Sequence, residues 1–195
     1  MIATLGTSTL FEGISLNITR GGAISGFPAE FLEIGNGSFL GIPLPLLVFI
    51  AVIIAVHLFL ERSGFGSAVY MTGSNPKVAR YSGIDVRRVL FWVYVSAGFL
   101  AAVAGILMAS RYNSAKESYG SSYLLQSVAA AVLGGTGING GEGKIAGTII
   151  AVMIIQAISS GLNIFGFNRY LTNIVMGGIL LLVLTIKFFT NRISK

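Results

Sequence analysis

The sequence predicts an all-α fold: a polytopic membrane helical bundle with one broken or tilted crossing and a short exposed helix on its cytoplasmic side. Three observations predict it. Of the 195 residues, 54% are hydrophobic and only 10% charged, with a mean hydropathy of +0.82, whereas a soluble domain carries about 25% charge. Charge-free runs approaching the ~20 residues needed to cross a bilayer recur along the chain. The basic residues punctuate these runs rather than covering one face. The net charge of +6 therefore reads as the positive bias of short membrane loops, and nucleic acid is not an expected partner.

The elements follow in order. Met1 runs straight into Ile2-Ala3-Thr4-Leu5-Gly6 with no basic signal-peptide region, so the chain is expected to open inside a hydrophobic element. Residues 2–18 are moderately apolar and rich in Thr, Ser and Gly, as suits the outer part of a helix packed within a bundle. An outer loop over 20–42 carries Glu30 and Glu33 and ends in Gly41-Ile42-Pro43-Leu44-Pro45. Proline is tolerated in a first helical turn, where its missing N–H has no partner to lose. The run 43–60 is then a span, stopped by Glu61-Arg62-Ser63-Gly64. Residues 89–110 form the cleanest span, without a single charge before Arg111. Residues 123–133 are apolar but short, and Gly134-Gly135 ends them. Two further spans, 145–165 and 171–186, are joined by a turn around Gly166 to Tyr170.

Orientation follows from Lys and Arg. The segment 61–88 holds Arg62, Lys77, Arg80, Arg87 and Arg88, and the tail holds Lys187, Arg192 and Lys195; both are expected in the cytoplasm. Parity then requires 123–133 to cross, with its flanks included, or the tail would fall outside. Small residues four apart (Ala97, Ala101, Gly105 and Ala109 in one row, Gly147 and Ala151 in another) mark helix faces where backbones approach closely.

The composition excludes several chemistries. There is no cysteine, and one histidine and 7 acidic residues offer few metal ligands; no catalytic site, metal or cofactor is expected. No span from Pro43 onward contains an acid, lysine or arginine before Lys187, whereas ion-coupled transport retains such groups at membrane depth. His57, one turn from Glu61, reads as a polar group reaching the inner interface. The stretch from Gly134 to Lys144 is Gly-rich and leads into a helix, but Ile145 follows Lys144, so the G-x-x-x-x-G-K-[ST] spacing is absent. The chain is not expected to hydrolyse ATP itself. That stretch reads equally as a flexible turn or as unwound backbone lining a pathway. Asn113, Ser114 and Gln126 are uncharged polar groups suited to a neutral polyol, or to pairing with bare backbone at helix breaks.

The most informative segment runs Gly73-Ser74-Asn75-Pro76-Lys77-Val78-Ala79-Arg80-Tyr81-Ser82-Gly83-Ile84. Asn75 fits an N-cap, Pro76 the first helical position, and Gly83 the stop about two turns on. The result is a short basic helix between two spans, resting on anionic headgroups or presented to a cytosolic partner.

These residues resemble the ribose-type ABC import permeases. Residues 73–84 resemble their cytoplasmic coupling loop. Ala131-Val132-Leu133-Gly134-Gly135-Thr136, continuing through Gly140-Gly141-Glu142-Gly143, resembles their second signature. Thr4-Leu5-Gly6-Thr7, Asn113-Ser114-Ala115 and Ser160-Gly161-Leu162-Asn163 match in the same order. The resemblance covers essentially the whole chain, as a single permease domain over 1–195 with a coupling segment at 73–88. Those permeases are longer at the N-terminus, so this chain is expected to be their larger C-terminal part.

The resemblance implies a bacterial inner-membrane, multi-pass subunit importing a small neutral sugar or polyol. It implies cytosolic ATP-binding subunits, a second permease subunit in a homo- or heterodimer, and an extracytoplasmic substrate-binding protein. Gly73, Asn75, Lys77, Ala79, Arg80, Ser82, Gly83 and Ile84 would couple to the ATPase, with Lys77 and Arg80 facing it or lipid, and Ala79 and Gly83 allowing close approach. Asn113, Ser114, Gln126, Gly134 and Gly135 would line the translocation path. One departure stands out: sugar permeases of this type carry an acidic pair before the Ala-Val-Leu-Gly-Gly run, and here Leu124-Leu125-Gln126-Ser127 is neutral. The ribose and autoinducer-2 branches both stay open, as does one half of a heterodimer. A secondary transporter or channel is the alternative class, and a non-transporting membrane scaffold a third.

Overall fold

The computed structural model describes residues 2–137 and 140–168, together with Leu171, Ile174, Val175, Gly177 to Ile179, Leu181 and Thr185. Half of the expected span 171–186 lies outside the described residues, and the basic tail residues Lys187, Arg192 and Lys195 lie wholly outside them. The described elements are α1 (Ile2–Thr19), β1 (Ile24–Ser25), α2 (Ala29–Asn36), β2 (Ser38–Phe39), β3 (Ile42–Pro43), α3 (Leu44–Glu61), α4 (Gly64–Ser74), α5 (Pro76–Tyr81), α6 (Val86–Tyr112), β4 (Ser114–Ala115), a 3-10 turn (Glu117–Tyr119), α7 (Ser121–Leu133) and α8 (Ile145–Ile164). The architecture is all-α, and α3, α6 and α8 are each long and apolar enough to cross a membrane. No residue of α3 is buried, as expected where lipid or other helices replace water as its surroundings. Helix α7 has 13 residues, about 20 Å of rise against a hydrocarbon core of roughly 30 Å. It is too short to cross alone.

Two segments expected as loops are helical. The segment 20–42 contains α2, because Phe31, Leu32 and Ile34 recur at helical spacing on a segment too short to register as a span. The segment 61–88 contains α4, capped by the Ser63 hydroxyl, which accepts from the Gly66 amide. The hairpin β2–β3 turns through Leu40 (φ 53°) and Gly41 (φ 80°). Two positive φ angles suit a tight hairpin turn, but leucine at the first disguises it in the sequence.

The chain divides into two units. One comprises Met1–Val52 and Tyr94–Ser121, the other Ile53–Val93 and Ser122–Lys195. In the first, β1 pairs antiparallel with β4, Ile24 opposite Ala115 and Ser25 opposite Ser114. In the second, the core is Ala129 and Ala130 of α7 against Ala151 and Ile155 of α8, with Ile158 and Ile179 beside them. Two alanines facing a third bring these helix axes close, the packing small residues permit in membranes.

Candidate functional site

In the second unit, α5 is built as its residues dictate. The Asn75 side chain accepts from the Lys77 and Val78 amides at 3.0 and 3.3 Å, and Pro76 takes the first helical position. At the other end the Gly83 amide donates to the Arg80 carbonyl and the Ile84 amide to the Ala79 carbonyl, both at 3.0 Å, with Gly83 at φ +81°. This paired closure needs a left-handed residue, which glycine supplies without a side-chain penalty. Ser82 is the C-cap. Asp85 then caps α6, accepting from the Arg87 and Arg88 amides.

The exposed surface of α5 differs from the expected one. Ala79, expected to allow close approach by a partner, is 0% exposed; it holds α5 down within this chain. Lys77 and Arg80 are exposed as expected, joined by two residues not singled out, Val78 and Tyr81, the latter 93% exposed. Ile84 is half-buried, and among the described residues no atom comes within 4 Å of a Cβ placed on Gly83. Gly73 belongs to the last turn of α4, not to the short helix, and it is closely packed: a Cβ there would strike the Gly141 amide nitrogen and come within 3.0 Å of the Gly141 Cα.

That contact joins the two Gly-rich motifs. A Cβ on Gly141 (φ +78°) would come within 2.5 Å of the Ser74 nitrogen. The Tyr70 hydroxyl donates to the Gly143 carbonyl at 3.2 Å. The Gly134–Lys144 stretch is thus an ordered connection where described, with the Gly137 amide donating to the Glu142 carbonyl at 2.9 Å. At its start, Gly135 (φ +91°) closes α7 as Gly83 closes α5, through Gly135 to Val132 and Thr136 to Ala131 bonds. Gly134 packs on the first turn of α8, where an added Cβ would lie 2.5 Å from the Thr148 Cα; one on Gly147 would collide with the Gly134 carbonyl. A groove of about 590 Å³ lies over this connection, lined by Tyr70, Gly134, Gly135, Glu142, Lys144 and Gly147 among others. Gln126 is half-buried on α7 in the same unit.

Asn113 and Ser114 lie in the first unit, where they fasten the chain ends of α6, β1 and α2. Asn113 follows α6 in a left-handed conformation (φ 50°), which asparagine tolerates, and its Oδ1 accepts from the Phe27 amide at 3.0 Å. The Ser114 hydroxyl lies 2.7 Å from that of Tyr119. Ser110, not singled out from the sequence, is the centre of this cluster. Fully buried, it accepts from the Gly35 amide at 2.7 Å and donates to the Phe31 carbonyl at 2.6 Å. Its own carbonyl accepts from Asn36 at 3.3 Å. Gly35 permits this, since a Cβ there would lie 2.6 Å from the Arg111 nitrogen. The available signal was a hydroxyl ending a long apolar run. His57 and Glu61 are 3.3 Å apart, both partly exposed at one end of α3.

Apolar spans, a capped basic helix between two of them, and glycine-mediated packing of irregular backbone define a helical membrane protein. The chain belongs to the family described as branched-chain amino acid transport system / permease component, which it matches over residues 1–184, and it is embedded in the membrane. It is 41% identical over 183 residues to the ribose import permease protein RbsC of Bacillus subtilis, covering 93% of this chain and 57% of that protein. It is 36% identical over 189 residues to the autoinducer 2 import system permease protein LsrD of Yersinia enterocolitica, covering 94% and 57%. A similar match to the protein of that name from Photorhabdus temperata is 36% identical over 188 residues, covering 93% and 56%. The chain thus spans little more than half the length of these relatives. No solved structure matches it.

Proposed function

We propose that this chain is part of the membrane-spanning permease of an ATP-driven importer for a small neutral sugar or polyol. In this reading α5 is the coupling helix, received by a cytosolic ATP-binding subunit. The observation that carries it is the construction of α5: six residues capped at both ends, anchored by buried Ala79, with Lys77, Val78, Arg80 and Tyr81 exposed. An exposed apolar and aromatic pair flanked by two cations fits a protein groove better than open solvent. The chain itself catalyses nothing; hydrolysis belongs to the partner. A second permease subunit and an extracytoplasmic binding protein complete the assembly in a bacterial inner membrane, with residues 61–88 and the C-terminus in the cytoplasm. Gln126, Gly134 and Gly135 in one unit, and Asn113 and Ser114 in the other, are carried as path residues. The matches to ribose and autoinducer-2 permeases, with the neutral Gln126 segment, favour two cargoes, and competition between ribose and autoinducer-2 for uptake distinguishes them.

Two measurements test this. A photo-crosslinker at position 81 should capture the ATP-binding subunit in intact membranes; labelling of Lys77→Cys from outside intact cells would sink the topology. In the reconstituted transporter, Gly83→Trp should abolish stimulation of ATP hydrolysis by loaded binding protein. Lys77→Ala should only weaken it, since an exposed charge pair is worth about 0.2–1 kcal/mol. Wild-type coupling in Gly83→Trp would make α5 a lipid-facing surface helix.

A further inference from the structure

We infer that Tyr70, Gly73 and Gly141 are positioning residues that make α4, α5 and the start of α8 one mechanical unit, through which displacement of α5 is delivered to the α7–α8 contact. The inference rests on the reading of α5 as the coupling helix. Two glycine contacts stand in series. At the first, the last turn of α4 meets the connection so closely that neither Gly73 nor Gly141 has room for a side chain, and an added Cβ on Gly140 would lie 3.2 Å from the Gly73 carbonyl oxygen. At the second, Gly134 at the end of α7 meets Gly147 and Thr148 in the first turn of α8.

Between them the chain is short and braced. Glu142 is bonded to Gly137, Gly143 to Tyr70, and Thr148 to Lys144 through both its amide and its hydroxyl. Only Asn75 separates α4 from α5, and the Asn75 amide still donates to the Met71 carbonyl at 3.0 Å. Backbone in direct contact with backbone has no side-chain rotamers to absorb a displacement. A push on α5 therefore moves the Gly140–Gly143 segment and the α8 N-terminus with it, rather than being lost in side-chain motion. The same geometry explains why the Gly-rich connection carries little bulk although it is not a phosphate loop.

The test uses the transporter assembled with its ATP-binding subunits and binding protein in proteoliposomes, scoring cargo moved per ATP hydrolysed. Gly73→Val should lower that ratio about tenfold or more by wedging the first contact apart. Tyr70→Phe, which removes only a hydroxyl, should lower it about two- to tenfold. If Gly73→Val does not assemble, Tyr70→Phe decides alone. A contact that is merely structural would reduce the yield of assembled complex and leave cargo per ATP unchanged, which overturns the inference. In a second experiment, Ser74→Cys with Glu142→Cys, both exposed in a chain without cysteine, are bridged through disulfides by a short bis-methanethiosulfonate reagent. Unchanged transport after bridging is expected of a single body; transport stopped by the bridge and restored by reductant means that the contact opens during the cycle, and overturns it. Failure of the underlying reading looks different: wild type itself would show no ATP-dependent uptake, and position 81 would capture no ATP-binding subunit.

Discussion

Helices α6 and α8 carry the same sequence signal and use it differently. On α8, Gly147 and Ala151 lie four apart, and both are filled from within the chain: Gly147 touches the Gly134 carbonyl, and Ala151 is 2% exposed against Ala129 and Ala130 of α7. On α6, Ala97, Ala101, Gly105 and Ala109 have the same spacing, yet the first three are exposed, Ala109 is only half-buried, and no described residue lies within 4 Å of a Cβ on Gly105. Small residues remove an obstacle to close approach, but they supply no attraction of their own until a partner surface arrives. A row of them marks where a helix can be met closely. Whether it is met depends on what the chain brings there.

Substitutions that add bulk to the two rows break this comparison most sharply. Gly147→Leu should be the most damaging, because the side chain would have to displace backbone; overpacking costs of about 1–3 kcal/mol are a lower bound where backbone must shift. Limited proteolysis in detergent micelles should show the α7–α8 connection opened. Gly105→Leu should leave the same proteolytic pattern unchanged, and a destabilisation equal to that of Gly147→Leu would show the α6 row to be filled as well.

The next effect tests whether the polar cluster at the end of α6 is held as firmly as the glycine contacts. Ser110→Ala strips a buried amide and a part-buried carbonyl of their shared partner, at about 1–3 kcal/mol. Hydrogen exchange at Gly35 should accelerate by an order of magnitude or more, while exchange in α7 and α8 stays as it was. Equal protection of Gly35 in the variant would show that backbone pairing alone holds α2.

The smallest effect concerns the cap of α5. Asn75→Ala removes an acceptor for two amides and should cost about 1 kcal/mol. Asn75→Asp, which keeps the acceptor, should stay close to wild type. Read as stimulated ATP hydrolysis, the alanine variant should weaken coupling in part; a loss as complete as that expected of Gly83→Trp would mean that the cap does more than terminate a helix.

Much of the fold was legible because its signals are local. The spans 43–60, 89–110 and 145–165 correspond to α3, α6 and α8 within a few residues, and Asn75, Pro76 and Gly83 stand where the capping rules put them. Helices α2 and α4 were missed because each is too short to yield a membrane-length apolar run, and because the Ser63 cap sits among residues that also read as a stop. The candidate site was half legible. Gly73 and Gly134 to Gly143 were singled out as two motifs, but their meeting depends on residues some seventy positions apart, which spacing along the chain does not encode.

The sequence by itself determined that this protein lives in a membrane, that its elements are helices, and where the short basic helix starts and stops. Hydropathy, length and capping act within a few turns of chain, so they are settled by residues that are neighbours in sequence. Only the tertiary structure decided that Ala79 faces inward while Val78 and Tyr81 face out, that Asn113 and Ser110 hold backbone at the end of α6, and that one row of small residues is filled and the other open. Those outcomes depend on which distant backbone comes within van der Waals reach, and a glycine looks the same in sequence whether it meets another glycine or nothing at all.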